Sequence, residues 1–287
     1  SPNRAARSLA AHRSETVSLV VSEPSVRLFA DPFFAGTTLG IAGVLGPTRY
    51  QLVLLMTQSD ADRQRIERHL LRGGADGVLL VSTRTDDPLP GRLAEAGIPC
   101  VLAGRPPAGA AVGFVDADNV GGARRAVTHL VDRGRRVVAT VSGPADMAPG
   151  ADRHTGWAMA LAAAGRRVDP SLVAEGDFTR AGGEAATRAL LAARPDLDAV
   201  FVASDLMALG ALDALRAAGR HVPDDVAVVG FDDSELARSA DPPLTTVRQP
   251  IEQLGHEMAR LLLARLDEGA GPSGLVLRTE LVVRRSG

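Results

Sequence analysis

Ala199-Val200-Phe201-Val202-Ala203-Ser204-Asp205-Leu206-Met207-Ala208-Leu209-Gly210 contains the repeating unit of this chain. Its opening residues are apolar in unbroken order, the pattern of a strand buried on both faces of a parallel sheet. Ser204 and Asp205 end the run with side chains that accept hydrogen bonds from the free amides of a helix start. From Leu206 onward the apolar spacing becomes helical. Strand, polar turn and helix together make the first half of a βαβ unit.

The same unit recurs on both sides of it. Strand candidates precede it at residues 17–21, 51–56, 77–81, 100–103, 112–115 and 137–141. Others follow at 226–231, with a C-terminal pair near Val276 and Val282. Helix candidates lie between them at 33–45, 61–72, 120–132, 155–164, 182–193, 206–217 and 251–267. Repeated βαβ order makes the class α/β, with parallel sheets flanked by helices. A length of 287 residues suits two domains, and ten strands would crowd a single sheet. We therefore expect two similar lobes. The first takes 15–132 and 246–271, the second 133–245 and 272–287, and three crossover strands near Gly134, Thr246 and Pro272 join them. Residues 1–14 stand apart. Folds of this kind place small ligands in a cleft lined by loops at strand carboxyl ends.

Composition removes several function classes. Hydrophobic residues at 45% and charged residues at 23% exclude a disordered chain. No apolar run approaches the ~18 residues that cross a bilayer, so no membrane association is expected. The single cysteine, Cys100, permits no internal disulfide and no cysteine-built zinc site. That pattern suits a reducing cytoplasm, the expected location. A net charge of −2 argues against a nucleic-acid binder over its whole surface. The segment before Glu15 differs, because Arg4, Arg7, His12 and Arg13 face no acidic residue there.

Enzyme signatures are missing. The sequence has no G-x-G-x-x-G leading from strand to helix, no H-E-x-x-H and no G-x-S-x-G, and without lysine no P-loop can form. Six histidines lie scattered without metal-ligand spacing. The expectation is a chain that is no enzyme and holds no metal and no cofactor.

What recurs is polar residues directly after strands: Asp118-Asn119, Ser204-Asp205 and Asp232-Asp233. Helix capping is the plain explanation, and we read Asp205 and Asp233 that way. Rings are scarce at 3% of residues. Trp157, at helical spacing, reads as core. Phe178 sits between Asp177 and Thr179 and is a poorer core candidate. An aromatic ring beside carboxylates and an arginine suits a sugar, whose apolar face stacks while its hydroxyls are bridged.

In this order the residues resemble the LacI/GalR family of bacterial transcriptional regulators, over essentially the whole chain. Pro2-Asn3-Arg4-Ala5-Ala6-Arg7-Ser8-Leu9 is similar to the family's hinge helix, and Asp31-Pro32-Phe33-Phe34 to the opening of its first sensor helix. Asp76-Gly77-Val78-Leu79-Leu80 resembles its "DGiIl" strand. Arg153-His154-Thr155-Gly156-Trp157 fits its R-x-x-G-aromatic motif, and the stretch around Ser204 resembles "N-D-x-M-A-x-G". Val229-Gly230-Phe231-Asp232-Asp233 and Pro243-Leu244-Thr245-Thr246-Val247 match the "v-G-f-D-d" strand and the "P-x-L-T-T-v" crossover.

The resemblance implies a two-lobed, periplasmic-binding-protein-like fold that binds a small effector, a carbohydrate with a nucleobase as the open alternative. It implies that Arg153 and Asp232 grip effector hydroxyls. Phe33 and Phe178 would line the pocket, and Asp118, Ser204 and Gln249 would stand near its rim. Two departures stand out. Ser204 occupies a place where sugar-binding members often carry Asn, and it reaches less far. Gly36-Thr37-Thr38 replaces a stronger helix former. The resemblance also implies a homodimeric repressor that meets operator DNA through a helix-turn-helix ahead of Pro2, a head either trimmed away or naturally absent, with trimming the favoured reading. The hinge, with Asn3, Arg4, Ala6 and Leu9, is too short to hold a helix alone in water. Two hinges would order on DNA with Leu9 and Ala6 wedged in the minor groove.

Two rivals follow from the same residues. A sugar-binding protein of an ABC importer shares the architecture, but predicts a monomer behind a secretory signal. An enzyme on this scaffold needs a nucleophile–base pair that the sequence does not offer.

Overall fold

The computed structural model describes residues 14–106 and 111–287, and the hinge residues Asn3, Arg4, Ala6 and Leu9 lie outside that range. Five strands come first, β1 (Thr16–Val21), β2 (Gln51–Met56), β3 (Gly77–Val81), β4 (Cys100–Ala103) and β5 (Gly113–Ala117). Among them lie α1 (Ser25–Ala30), α2 (Pro32–Leu45), α3 (Asp60–Leu71) and α4 (Leu89–Glu95). The middle of the chain builds α5 (Asn119–Asp132), β6 (Val138–Ser142), α6 (Ala148–Ala163), β7 (Val173–Glu175), α7 (Arg180–Ala193) and β8 (Ala199–Val202). It continues through α8 (Asp205–Ala217), β9 (Ala227–Asp232), α9 (Glu235–Ser239) and β10 (Thr245–Arg248). The chain ends with α10 (Ile251–Glu268), β11 (Gly274–Leu277) and β12 (Glu280–Val282). As the strand pattern implied, the fold is α/β with two six-stranded sheets.

The first unit comprises the described residues up to Ala30 with Phe34–Asp116 and Ile251–Val276. Its sheet runs β11-β5-β4-β3-β1-β2, and the pairs from β5 to β2 are parallel. Leu19 aligns with Leu54 on one side and Leu79 on the other. The central strands β1 and β3 are almost wholly buried, which is why they carry no polar alternation. On one face Ile66, Leu70, Leu89 and Leu93 close over Val20, Val78 and Leu80. Elsewhere in the unit, α2 and α10 touch backbone to backbone. A Cβ on Gly40 would overlap Glu252 O, and one on Gly255 would overlap Thr37 O. That contact explains Gly40 in α2: the lost helix propensity of about 1 kcal/mol is exchanged for close approach.

The second unit comprises Asp31–Phe33, Ala117–Pro250 and Leu277–Gly287. Its sheet runs β12-β10-β9-β8-β6-β7, parallel except for the antiparallel pair β10/β12. Trp157 is fully buried, as expected from its helical spacing, and its indole Nε1 donates to Val138 O at 3.1 Å. Helices α7 and α8 meet at glycines. A Cβ on Gly210 would collide with Arg180 O, and one on Gly183 with Met207 O. Gly210→Ala should therefore destabilise the chain by about 1–3 kcal/mol despite the better helix former, because backbone must move apart. Urea unfolding would check it, and a stability unchanged or raised would contradict the close contact.

Two boundaries differ from the sequence expectation. The chain leaves the first unit at Asp116, not after residue 132. Helix α5 packs on the second sheet, where a Cβ on Gly122 would come within 2.9 Å of the Phe231 ring. The last crossing falls at Val276 rather than near Pro272, because Phe114 N donates to Ser273 O at 3.0 Å and ties β11 to the first sheet. The three-residue strand β7 was not legible in the sequence.

Candidate functional site

The polar residues of the second unit gather at the carboxyl ends of its parallel strands, where helix N-termini and loop side chains converge. Asp232 is the last residue of β9 and is 8% exposed. Arg153, from the interior of α6, is 5% exposed. Its Nε donates to Asn119 Oδ1 at 2.9 Å and its Nη1 to Ala203 O at 2.6 Å. The guanidinium carbon lies 3.7 Å from the Phe231 ring centroid, a cation–π contact. Nη1 also stands 3.7 Å from Asp232 Oδ1. Gln249 Nε2 donates to that same oxygen at 2.6 Å. A buried charge pair needs such additional bonds, since desolvation alone outweighs its attraction.

The backbone at Asp232 is unusual. Asp232 has φ 124° and Asp233 φ 57°, a region that non-glycine residues rarely occupy. The two carboxylates consequently point to different partners. Asp233 accepts from Arg248 Nε at 2.7 Å and from Arg284 Nη2. Burial works to raise its carboxyl, but the hydrogen bonds from Arg284 and Arg248 prevail and hold it below the ordinary range. Asp232 goes the other way. Burial pushes its carboxyl well above the usual range, Arg153 opposes, and Asp205 and Asp31 add to the rise.

The sequence-predicted residues fare unequally. Arg153, Asp232 and Gln249 are brought together directly. Ser204 is buried and gives its hydroxyl to α8 as the N-cap, accepting from Met207 N at 3.2 Å. Asp118 caps α5 through Gly121 N at 3.0 Å and pairs with Arg125 at 3.3 Å. Phe33 is half-buried and groups with the second unit. Phe178, read as a poor core candidate, is 4% exposed and belongs to the second unit's apolar core. Its φ of 62° belongs to the left-handed region, and the ring packs over Gly143, where a Cβ would overlap it.

The capping reading of Asp205 and Asp233 needs correcting as well. Ser204 is the cap of α8 and Ser234 occupies the N-cap position of α9. Asp205 is fully buried and accepts from Thr246 Oγ1 at 2.6 Å and Ser234 N at 2.8 Å. Asn119, passed over beside Asp118, is buried against Arg153; its place one residue inside a helix start was the available signal. In the first unit, a buried set at the ends of β1 and β3 also escaped the sequence reading: Glu23 accepts from Arg27 and from Ser82 Oγ. No group of three or more metal-ligating side chains occurs among the described residues.

Arg153 presents a donor fork beside the acceptor oxygens of Asp232, and Asn119 and Gln249 hold both in place. Such a set can bind adjacent hydroxyls by donating to one and accepting from the next. The periplasmic binding protein-like domain family matches residues 127–287. The HTH-type transcriptional regulator CelR of Thermobifida fusca is 51% identical over the whole of this chain and 85% of its own length. The chain belongs to the LacI/GalR family of transcriptional regulators. Another relative in that family, the repressor CytR of Escherichia coli, is 32% identical over 96% of this chain and 80% of its own. A solved CelR–cellobiose complex superposes with a TM-score of 0.93 at 50% identity, covering 96% of this chain and 85% of that one. The chain is thus the periplasmic-binding-protein-like core of a LacI/GalR regulator, and the importer alternative is not favoured. These relatives are regulators rather than enzymes, and no helix among the described residues is long and apolar enough to cross a membrane.

Proposed function

We propose that this core senses a β-linked glucose disaccharide of the cellobiose class and, as a homodimer, passes its binding state to operator DNA in the cytoplasm. The observation that carries the reading is the buried Arg153–Asp232 pair with Gln249 on the same carboxylate oxygen. The sugar class is taken from the CelR–cellobiose complex, whose chain is half identical to this one. Arg153, Asp232 and Gln249 make the polar contacts, and Phe33 supplies an apolar ring face, with Phe178 buried in the core of the second unit. Asp118 and Ser204 act at the edge, through the helix ends they cap. The chain performs no catalysis in this reading and requires no cofactor or metal.

Signalling then follows from differential affinity. The core exchanges between two states that differ in operator affinity, and the sugar shifts the balance only by binding one state more tightly. Thermal unfolding with cellobiose, glucose, ribose and adenine tests the sugar assignment. Cellobiose at 100 times its dissociation constant should stabilise the fold by about 2.7 kcal/mol, and the others at equal concentration by less. A larger shift with adenine, or none with any sugar, would overturn it.

A further inference from the structure

We propose that Asp205 is a positioning residue for the effector site: its buried carboxylate braces the turn after β9 and so aims Asp232. This rests on the reading that Asp232 grips the sugar. Asp205 itself faces the protein interior at 0% exposure, and nothing in the sugar-gripping set explains why a carboxylate should be buried there.

Its bonds supply the reason. Oδ2 accepts from Ser234 N at 2.8 Å and Ser234 Oγ at 3.2 Å, both in the turn that follows Asp232 and Asp233. Oδ1 accepts from Thr246 Oγ1 at 2.6 Å, on the neighbouring strand β10. Thr246 Oγ1 in turn lies 3.4 Å from Asp233 N, which donates to it. The backbone N of Asp205 points at Asp232 Oδ2, 3.4 Å away. One residue therefore ties the start of α8, the turn after β9 and the interior of β10 around a pair of consecutive positive-φ aspartates.

That pair needs the tie. Positive φ at a non-glycine residue is strained and persists only where its surroundings over-determine it. Gly230 leaves the space, since a Cβ there would overlap Asp205 Oδ1. Without the carboxylate, Ser234 N loses its partner and the turn relaxes toward ordinary backbone angles. Asp232 then swings from Arg153 and Gln249, and the two-sided grip on adjacent hydroxyls is lost. Ser204, one residue earlier, acts instead through the helix start it caps.

The test compares Asp205→Ala with Asp205→Asn, reading cellobiose affinity by calorimetry and amide exchange of residues 231–235 in the ligand-free protein. Alanine should weaken cellobiose binding at least tenfold and speed exchange in that segment, at a temperature where the protein is still folded. Asparagine should restore affinity to within about threefold of wild type: its oxygen accepts from Ser234 N, and the rotatable Thr246 hydroxyl accepts from its amide. Adding Thr246→Val to Asp205→Asn removes that acceptor and should abolish the rescue. A merely structural role would move thermal stability in all variants without this pattern in affinity. Should Asp205→Ala not fold, Thr246→Val alone carries the test, with faster exchange and weaker binding expected. Unchanged exchange and affinity in the folded variants, or no rescue by asparagine, would overturn the brace. A wild-type protein indifferent to cellobiose would instead sink the sugar assignment, and amide exchange would still decide whether Asp205 holds the turn.

Discussion

Asp232→Ala should abolish the cellobiose-induced rise in thermal stability and lower the unfolding free energy by about 3–5 kcal/mol. The loss exceeds that of a surface ion pair because Arg153 remains buried with its charge. The carboxylate oxygen 3.7 Å from its Nη1 is gone, and a buried charge that loses such a partner is costly. Gln249 loses its acceptor at 2.6 Å at the same time. Asp232→Asn keeps an oxygen that Gln249 can reach, so it should cost less stability yet still weaken binding. A fully ligand-responsive Asp232→Ala protein, measured by calorimetry and urea unfolding at neutral pH, would remove Asp232 from the effector site.

How much of this was legible depends on the kind of contact. The fold was readable because strands such as 77–81 and 226–231 are apolar throughout, and only burial on both faces asks for that. The family motifs pointed to Arg153, Asp232 and Gln249, each within a matched stretch or beside one, and the structure brings these three side chains together. Adjacent polar residues were less legible. Ser204 and Asp205 can both cap a helix on chemistry alone, and a shift of one residue in the helix start decides which one does. Asp232 and Asp233 are chemically identical, and only a pair of positive φ angles sends one to Arg153 and the other to Arg248 and Arg284. Phe178 misled for a similar reason. Its flanking residues Asp177 and Thr179 are engaged with each other in a local turn, while its own backbone at φ 62° lies in the left-handed region and the ring is buried. The unit boundaries failed where a helix could serve either sheet: nothing in the sequence of α5 says which one it covers.

Trp157→Ala should cost about 3–5 kcal/mol, the range for emptying a large aromatic site in a packed core. Trp157 is fully buried among second-unit core residues, and its removal also leaves Val138 O without the indole donor at 3.1 Å. Its position ties this cost to function. Trp157 and Arg153 are four residues apart on α6, so they share a helix face one turn apart. The indole pins that face to the start of β6, and with it the origin of the Arg153 side chain. Trp157→Phe keeps most of the packing and should lose about 1–2 kcal/mol, with cellobiose affinity reduced modestly; Trp157→Ala should weaken affinity further even where the protein stays folded. The residue also reports on its own unit. It is the only tryptophan in the chain, while the single tyrosine, Tyr50, lies in the first unit. Tryptophan fluorescence therefore follows unfolding of the unit that carries Arg153 and Asp232, and circular dichroism follows both. Under urea, cellobiose should move the fluorescence midpoint of wild type upward. A fluorescence midpoint indifferent to cellobiose, in a protein whose dichroism midpoint does respond, would place the sugar's contacts in the first unit and leave Arg153 and Asp232 a structural pair.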